Sequence, residues 1–134
     1  METARAIEEQ GIQVPAPFSR SIKVLFAPDR REIDELTFSV VLIDPDNGTD
    51  YHVHDRPELI YIVSGCGEGV VEGSTTPLET DTALFVRAGE WHQMKNTGTA
   101  PLKLATVFVP GIRAEDNYRR CLTAADGPVG AGIE

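Results

Sequence analysis

The sequence predicts an all-β fold, either a sandwich or a barrel, and three observations support this prediction. About eight short runs rich in β-branched and aromatic residues follow one another at spacings near ten residues. Clusters of turn-forming residues separate these runs, such as DPDNGTD at 44–50. No long stretch shows the 3.6-residue apolar period of a helix. Short strands joined by tight turns are typical of β-sandwiches and barrels.

The predicted strands begin after a peripheral N-terminal segment. Within residues 1–20, TARAIEEQ predicts a short helix, and the prolines of VPAPF then impose an extended backbone. The strands that follow are SIKVLFA (21–27), LTFSVVLI (36–43), YHVH (51–54), ELIYIVSG (58–65), GEGVVEG (67–73), TALFVRAG (82–89), WHQMKN (91–96) and LKLATVFVP (102–110).

After the last predicted strand, AEDNYRRCL at 114–122 predicts one or two helical turns. The Gly- and Ala-rich end of the sequence is predicted to be flexible. The predicted organisation is therefore an N-terminal extension at 1–20, a β-barrel at 21–112, and a short helical segment with a flexible tail at 113–134.

Length and charge exclude several classes of function. A chain of 134 residues fits one domain, and its net charge of −9 comes from 12 basic and 21 acidic residues. Phosphate backbones and anionic membranes would be repelled, so we expect neither a nucleic-acid nor a membrane partner. The start METARAIEEQ lacks the pattern of a signal peptide, and no apolar run approaches the roughly 18–20 residues of a membrane span. We therefore expect a soluble cytoplasmic protein. Cys66 and Cys121 are expected to be free thiols.

The chain has three histidines, and two of them lie one residue apart. Because side chains alternate along a strand, His52 and His54 point to one face, about 6.6–6.8 Å apart. Two imidazoles at this spacing can converge on one metal ion. After the DRP excursion, Glu58 can return to the same interior, and His92 would be the fourth ligand, from a strand 34 residues after Glu58. Such nitrogen and oxygen ligands suit Fe, Mn, Ni or Zn.

Two sequence motifs resemble those of the cupin superfamily. The run Gly48-x3-His52-x-His54-x3-Glu58-x6-Gly65 resembles the first cupin motif, with three residues instead of five after the first glycine. The stretch DTALFVRAGEWHQMKN resembles the second, G-x5-P-x-G-x2-H-x3-N, and Gly89, His92 and Asn96 match it in register. Asp81 replaces its first glycine and Arg87 its proline. These departures affect turn geometry and no metal ligand.

This resemblance implies a double-stranded β-helix, or jelly-roll barrel, with short peripheral helical segments. It also implies one divalent transition metal inside the barrel, Fe, Mn, Ni or Zn with Fe slightly favoured, and commonly a homodimer. By the same resemblance the metal ligands are His52, His54, Glu58 and His92.

Strand alternation then predicts which side chains line the substrate pocket. On the strand 36–43, either Phe38, Val40 and Leu42 or Thr37, Ser39 and Val41 face inward, and the apolar set is favoured. The mainly apolar lining suits a small-molecule site. The predicted pocket residues are Phe38, Val40, Ile60, Met94, Thr106, Phe108 and Arg87.

Candidates for catalysis are fewer. Arg56 in the motif loop, Arg87 and Arg113 are possible anchors for an anionic substrate, because a guanidinium binds a carboxylate in bidentate fashion. Small cupin lyases use tyrosines near the metal as bases, which makes Tyr118 and Tyr61 candidates, although Tyr61 is predicted to face outward. Arg56 and Tyr118 are the predicted catalytic residues.

The resulting hypothesis is a metal-dependent enzyme acting on a small organic substrate. A dioxygenase-type oxidoreductase is favoured, because no strong general base is visible beyond the ligands. The alternatives are a redox-neutral lyase, isomerase or decarboxylase that uses Mn, Ni or Zn as a Lewis acid, and a non-catalytic ligand-binding cupin. An empty structural barrel is disfavoured, because buried unpaired His and Glu side chains are costly.

Overall fold

The chain folds into two β-sheets and one α-helix. The computed structural model describes residues 1–126 and, in addition, the backbone of a two-residue strand, Gly132–Ile133. The elements are β1 (Ile12–Val14), β2 (Arg20–Phe26), β3 (Thr37–Ile43), β4 (His52–Val53), β5 (Glu58–Ser64), β6 (Gly67–Val71), β7 (Ser74–Leu78), β8 (Ala83–Val86), β9 (His92–Asn96), β10 (Leu102–Phe108), α1 (Ala114–Asp126) and β11 (Gly132–Ile133).

The strands form a six-stranded sheet in the order β1-β2-β3-β10-β5-β8 and a five-stranded sheet in the order β11-β4-β9-β6-β7. From β3 to β10 the chain passes repeatedly from one sheet to the other. Nearly all described strand pairs are antiparallel; β4 with β11 is parallel. The predicted all-β, double-stranded β-helix fold is therefore confirmed.

The core lies between the two sheets and follows the two-residue period of the strands. Along β10, Leu102, Leu104, Thr106 and Phe108 are buried and the residues between them are less so. Fully buried aliphatic side chains such as Ile62 each contribute about 1.5–3 kcal/mol through the hydrophobic effect. A barrel closed by such rows holds the side chains at its centre in fixed positions, which is what a binding site requires.

The facing predicted for β3 is wrong. Thr37, Ser39 and Val41 are buried inside the barrel, whereas Phe38 and Val40 face outward. Alternation could not decide between the two sets, because the outer face of this sheet is itself apolar. Phe38 pairs with Val107 of β10, which also faces outward.

The segments flanking the barrel are more ordered than predicted. Part of the predicted N-terminal extension forms β1, which pairs with β2, and the predicted N-terminal helix is only a 3-10 turn at Ala6–Glu8. Helix α1 has 13 residues instead of one or two turns. Its first two N–H groups, of Ala114 and Glu115, donate to the carboxylate of Asp29 at 2.6 and 3.1 Å. The carboxylate therefore caps the helix from a distant turn.

At the other end of the chain, β11 pairs in parallel with β4, which carries His52. The rest of the predicted flexible tail lies outside the described residues, and the domain boundaries stay a prediction. None of the helices within the described ranges has the length and apolar composition needed to cross a membrane. The cytoplasmic location stays a prediction too.

Candidate metal centre

Four potential metal ligands meet at the ends of three strands. His52 begins β4 and lies directly opposite His92, which begins β9. His54 follows β4 by one residue, and Glu58 begins β5 in the other sheet. The candidate ligand atoms of all four lie within 4.8 Å of one another. The predicted set is thus brought together from both sheets.

The four side chains are buried and in mutual contact. The carboxylate Oε1 of Glu58 lies 3.1 Å from Nε2 of His92 and 3.4 Å from Nε2 of His54. The imidazole centroids of His52 and His92 are 4.3 Å apart, and that of His54 lies 4.6 and 5.0 Å from them. All four are at most 7% exposed. The four side chains therefore have little contact with bulk water.

Backbone carbonyls orient two of the imidazoles. Nδ1 of His52 donates to the carbonyl of Asp50 at 2.7 Å, and Nδ1 of His92 donates to that of Glu90 at 2.9 Å. In both cases the acceptor lies two residues earlier. A proton held on Nδ1 directs the Nε2 lone pair toward the cluster, and this is the usual arrangement of metal-binding histidines.

The electrostatics keep Glu58 charged. Burial alone would raise its pKa, but hydrogen bonds from His54 and His92 lower the pKa of Glu58 to about 2. Burial would likewise lower the pKa of His92, but its hydrogen bond to Glu58 raises it. Burial, followed by the positive charge of Arg120, lowers the pKa of His52 well below its ordinary value. A carboxylate is thus available as an anionic ligand, and His52 is neutral, as ligation requires.

These residues fit a divalent transition metal. Three imidazoles and one carboxylate converge on one point, and two of the rings are held in the ligating tautomer. A metal ion would replace the proton that His92 shares with Glu58. Four protein ligands leave one or two positions of an octahedral ion for other molecules. The donor set does not by itself select among Fe, Mn, Ni and Zn.

The cluster lines a cavity of about 50 Å³ between the two sheets. Among the predicted pocket residues, Ile60, Met94, Thr106 and Phe108 line it, and the Phe108 ring packs edge-on against that of His54, with centroids 4.7 Å apart. The others do not: Phe38 and Val40 lie on the outer face, and the exposed Arg87 covers the ring of Phe85.

The two predicted catalytic residues also lie away from the cavity. The hydroxyl of Tyr118 accepts the backbone N–H of Val24 at 2.8 Å, which ties α1 to β2 and keeps this side chain out of the cavity lining, to which α1 contributes Asn117, Arg120 and Cys121 instead. Arg56 binds Asp55 and donates at 2.8 Å to the carbonyl of Gly111. Arg113 is exposed and pairs with Asp116. Tyr61 faces outward as predicted, and its hydroxyl donates to Asp81.

The cavity has polar residues that were not among the predicted pocket residues. Arg20, Ser39 and Arg120 line it together with the metal cluster, and Asp50 lies behind them. The sequence does indicate that Arg20 faces inward, because it lies two residues before Ile22 and four before Val24 on β2, and both of these are buried. Arg120 gave no such signal, because it comes from a helix whose docking the sequence does not specify.

The departures from the second motif leave the backbone of this turn region unchanged in conformation. Asp81, in place of the motif's glycine, has a φ of +67°, in the left-handed region that glycine adopts most easily and aspartate tolerates. Gly89 of the same motif has a φ of +82°. The turn geometry is thus retained although one glycine is missing, and His92 keeps its place.

The chain belongs to the cupin family: the model of the cupin domain matches residues 39–108. No curated protein sequence matches the chain.

Solved structures share this fold. A predicted oxalate decarboxylase from Thermotoga maritima is 20% identical, with a TM-score of 0.74 over 81% of this chain and 99% of that one. KdgF from Halomonas sp. is 19% identical, with a TM-score of 0.71 over 86% and 99%. A mutant of Bacillus subtilis oxalate decarboxylase OxdC is 18% identical, with a TM-score of 0.72 over 81% of this chain and 30% of that one. At these identities the likeness concerns the fold.

Proposed function

We propose that the chain is a metal-dependent enzyme that acts on a small organic substrate. The observation that carries the proposal is the convergence of His52, His54, Glu58 and His92 within 4.8 Å, at the wall of a cavity. The bound divalent ion would supply Lewis-acid chemistry toward a substrate oxygen or, if it is iron, chemistry with dioxygen. The protein's own part is to hold the ligands, orient the substrate and exclude water.

The cavity walls favour a small ligand held close to the metal cluster. Ile60, Met94, Leu104 and Phe108 provide apolar surface around the imidazoles. A volume of about 50 Å³ has room for about four waters. A substrate that lies wholly inside is therefore small.

Dioxygenase-type oxidation is the reaction class we favour, with iron as the metal. Among the described residues that line the cavity, the only carboxylate and imidazole groups are the four ligand candidates themselves. A reaction that needs a carboxylate or imidazole general base separate from these ligands would find none in this lining. Chemistry carried by the metal and dioxygen needs none.

A redox-neutral lyase, isomerase or decarboxylase using Mn, Ni or Zn is the second candidate. Two arginines in the cavity lining favour it, because they can hold a carboxylate next to a Lewis-acidic ion. Two of the structural neighbours carry oxalate decarboxylase in their names. A cupin that binds such a ligand without turnover is the non-catalytic alternative.

Metal reconstitution separates these candidates. The metal-free protein is loaded separately with Fe(II), Mn(II), Ni(II) or Zn(II) and incubated with small hydroxy, oxo and dicarboxylic acids, while dioxygen uptake and product formation are recorded. Uptake with the Fe(II) form alone, with oxygen incorporated into the product, supports the dioxygenase-type reaction. Turnover without uptake in the other forms supports the redox-neutral reaction, and saturable binding without turnover in every form contradicts an enzymatic role. Glu58→Gln is the inactive control.

We also propose that a second copy of this chain covers the outer face of the six-stranded sheet. Leu59 and Phe85 are paired neighbours on β5 and β8 and are 42% and 56% exposed, and Leu42, Tyr61 and Val63 are exposed on the same face. A continuous apolar face of this kind is typical of homodimer interfaces. Sedimentation analysis should give a dimer that Phe85→Glu dissociates and Leu122→Glu, on α1, leaves intact. A wild-type monomer would contradict this.

A further inference from the structure

A second charged cluster lies inside the barrel, on the opposite side of His52 from Glu58. Asp50, which is 1% exposed, accepts two hydrogen bonds from Arg120, at 3.0 and 3.4 Å. Its Oδ1 lies 3.8 Å from Nη2 of Arg20, and its Oδ2 lies 3.8 Å from Nδ1 of His52. Asp50 therefore lies between the two arginines and His52, one of the proposed metal ligands.

Arg20 is buried with few protein partners for its charge. The side chain is 2% exposed and lines the cavity. A guanidinium has five N–H donors. Within the described residues Arg20 donates one hydrogen bond, from Nη1 to the carbonyl of Phe18 at 2.9 Å. The 3.8 Å separation from Asp50 is too long for a hydrogen bond. Buried charges are normally paired and hydrogen-bonded, so this guanidinium is suited to a further anionic partner.

Ser39 gives an independent indication of a polar ligand. It is 1% exposed, lines the same cavity, and its Oγ has no hydrogen-bond partner in the described part of the chain. Leaving a buried hydroxyl without a partner is costly. Thr106, its ladder partner on β10, and Asn117 on α1 also present polar side chains to the cavity. One wall is therefore polar, whereas the surroundings of the imidazoles are mainly apolar.

We propose that Arg20, with Arg120 and Ser39, forms a carboxylate-binding subsite, so that the substrate is a small organic acid whose carboxylate lies on this wall while another oxygen group reaches the metal. This inference rests on the proposed function. Arginine suits the role because its planar donors match the two oxygens of a carboxylate. In this proposal Arg20 takes the place of the predicted anchors, which lie outside the cavity: Arg56, Arg87 and Arg113.

The other role that this cluster could have is purely structural, in which Arg20 and Arg120 only anchor α1 to the barrel through Asp50. The two roles differ in one property. A structural cluster changes stability when mutated but does not discriminate between ligands that differ by one charge. A binding subsite changes that discrimination, whatever happens to stability.

The test compares dicarboxylates with their monoamides. Oxalate, malonate and succinate are titrated calorimetrically into the metal-loaded protein, and each is compared with its own monoamide, oxamate, malonamate or succinamate. The monoamide keeps one carboxylate for the metal and lacks the second charge. For at least one chain length, the wild type should prefer the dicarboxylate by about 10- to 100-fold. Arg20→Gln should bring the ratio close to one, and Ser39→Ala should lower it less.

The control is Arg119→Gln, an exposed arginine on the same helix whose described partner is Asp116, and it should keep the wild-type ratio. The metal content of every variant is measured alongside. A wild type with one metal per chain and no preference, or a preference that survives both Arg20→Gln and Ser39→Ala, would overturn the subsite but leave the proposed function intact. Tighter binding of sulfate or phosphate than of every carboxylate would overturn the assignment to organic acids.

If the protein cannot be loaded with metal, the proposed function fails but the subsite is still decided. The melting temperature of the metal-free protein is then recorded with succinamate, which has one carboxylate, and with succinamide, which has none. A rise with succinamate alone that Ser39→Ala diminishes and Arg20→Gln abolishes supports the subsite. Equal responses to both compounds contradict it. Ser39→Ala keeps the test usable if Arg20→Gln does not fold.

Discussion

The barrel interior contains two buried polar clusters, one around Glu58 and one around Asp50, and they differ in how the sequence encodes them. The first draws its ligands from short, recognisable spacings, because two histidines on one strand share a face. The second joins the start of β2, the turn before β4 and the middle of α1, which are up to 100 residues apart. Metal-ligand chemistry therefore leaves a local pattern, whereas an ion-pair cluster assembled by tertiary packing leaves almost none.

The largest expected effect is the loss of metal when Glu58, in the first cluster, is replaced. Glu58→Gln removes the only anionic ligand candidate in the described metal cluster, so we expect affinity for the metal to fall by at least the roughly 10- to 100-fold typical of disturbed metal sites. Elemental analysis after dialysis measures it. The matched Glu68→Gln, on the exposed side of β6, should retain metal. Equal metal content in the two variants would contradict the ligand role of Glu58.

The next effect concerns stability. Asp50→Asn removes the carboxylate that Arg20 and Arg120 share, and breaking a buried ion pair typically costs about 3–5 kcal/mol. The free energy of unfolding of the metal-free protein, from urea titration, measures it. Asp55→Asn, whose side chain is 66% exposed, should change stability by under about 1 kcal/mol. A loss at Asp50 no larger than that at Asp55 would mean that the second cluster does not support the fold.

Tyr118→Phe tests the corrected role of a residue that the sequence suggested for catalysis. The substitution leaves the buried N–H of Val24 without its acceptor, so we expect a loss of about 1–3 kcal/mol of unfolding free energy. Metal content and turnover should stay at wild-type levels. A variant with normal stability but abolished turnover would restore the catalytic assignment. Tyr61→Phe, at an exposed hydroxyl bound to Asp81, is the matched control.

The smallest effect is pH-dependent and concerns the docking of α1. Burial would raise the pKa of Asp29, but the backbone N–H groups of Ala114 and Glu115 more than offset this and lower it. Because the folded pKa is below the unfolded value of 3.8, this stabilisation is present above pH 3.8 and is lost as the pH falls through the folded pKa.

Asp29→Asn removes the charge at the helix N-terminus and should therefore cost about 0.3–1 kcal/mol at pH 7 and less at pH 3, measured by urea unfolding at both values. Asp34→Asn, at an exposed position in the same turn region, is the control. A cost at Asp29 that does not change with pH would contradict the charged cap.

The sequence predicted the fold and brought the four metal-ligand candidates into one set, because strand period and motif spacing are local properties. It misassigned the facing of β3, because Phe38 and Val40 are apolar yet lie on an exposed sheet face, while the polar Ser39 lies inside. A polar side chain can be buried where other polar groups surround it, and strand alternation does not show where that occurs. For the same reason the sequence did not predict that Arg20 is buried, because its partner Asp50 is brought close only by the fold.

The most direct test of the central claim is the metal stoichiometry of the purified protein. Elemental analysis by mass spectrometry, before and after reconstitution with Fe, Mn, Ni or Zn, should give close to one transition metal per chain for the wild type. His54→Ala should fall well below this value, and Cys66→Ala, at an exposed thiol, should match the wild type. A folded wild-type protein that contains no metal and takes up none on reconstitution would contradict the account.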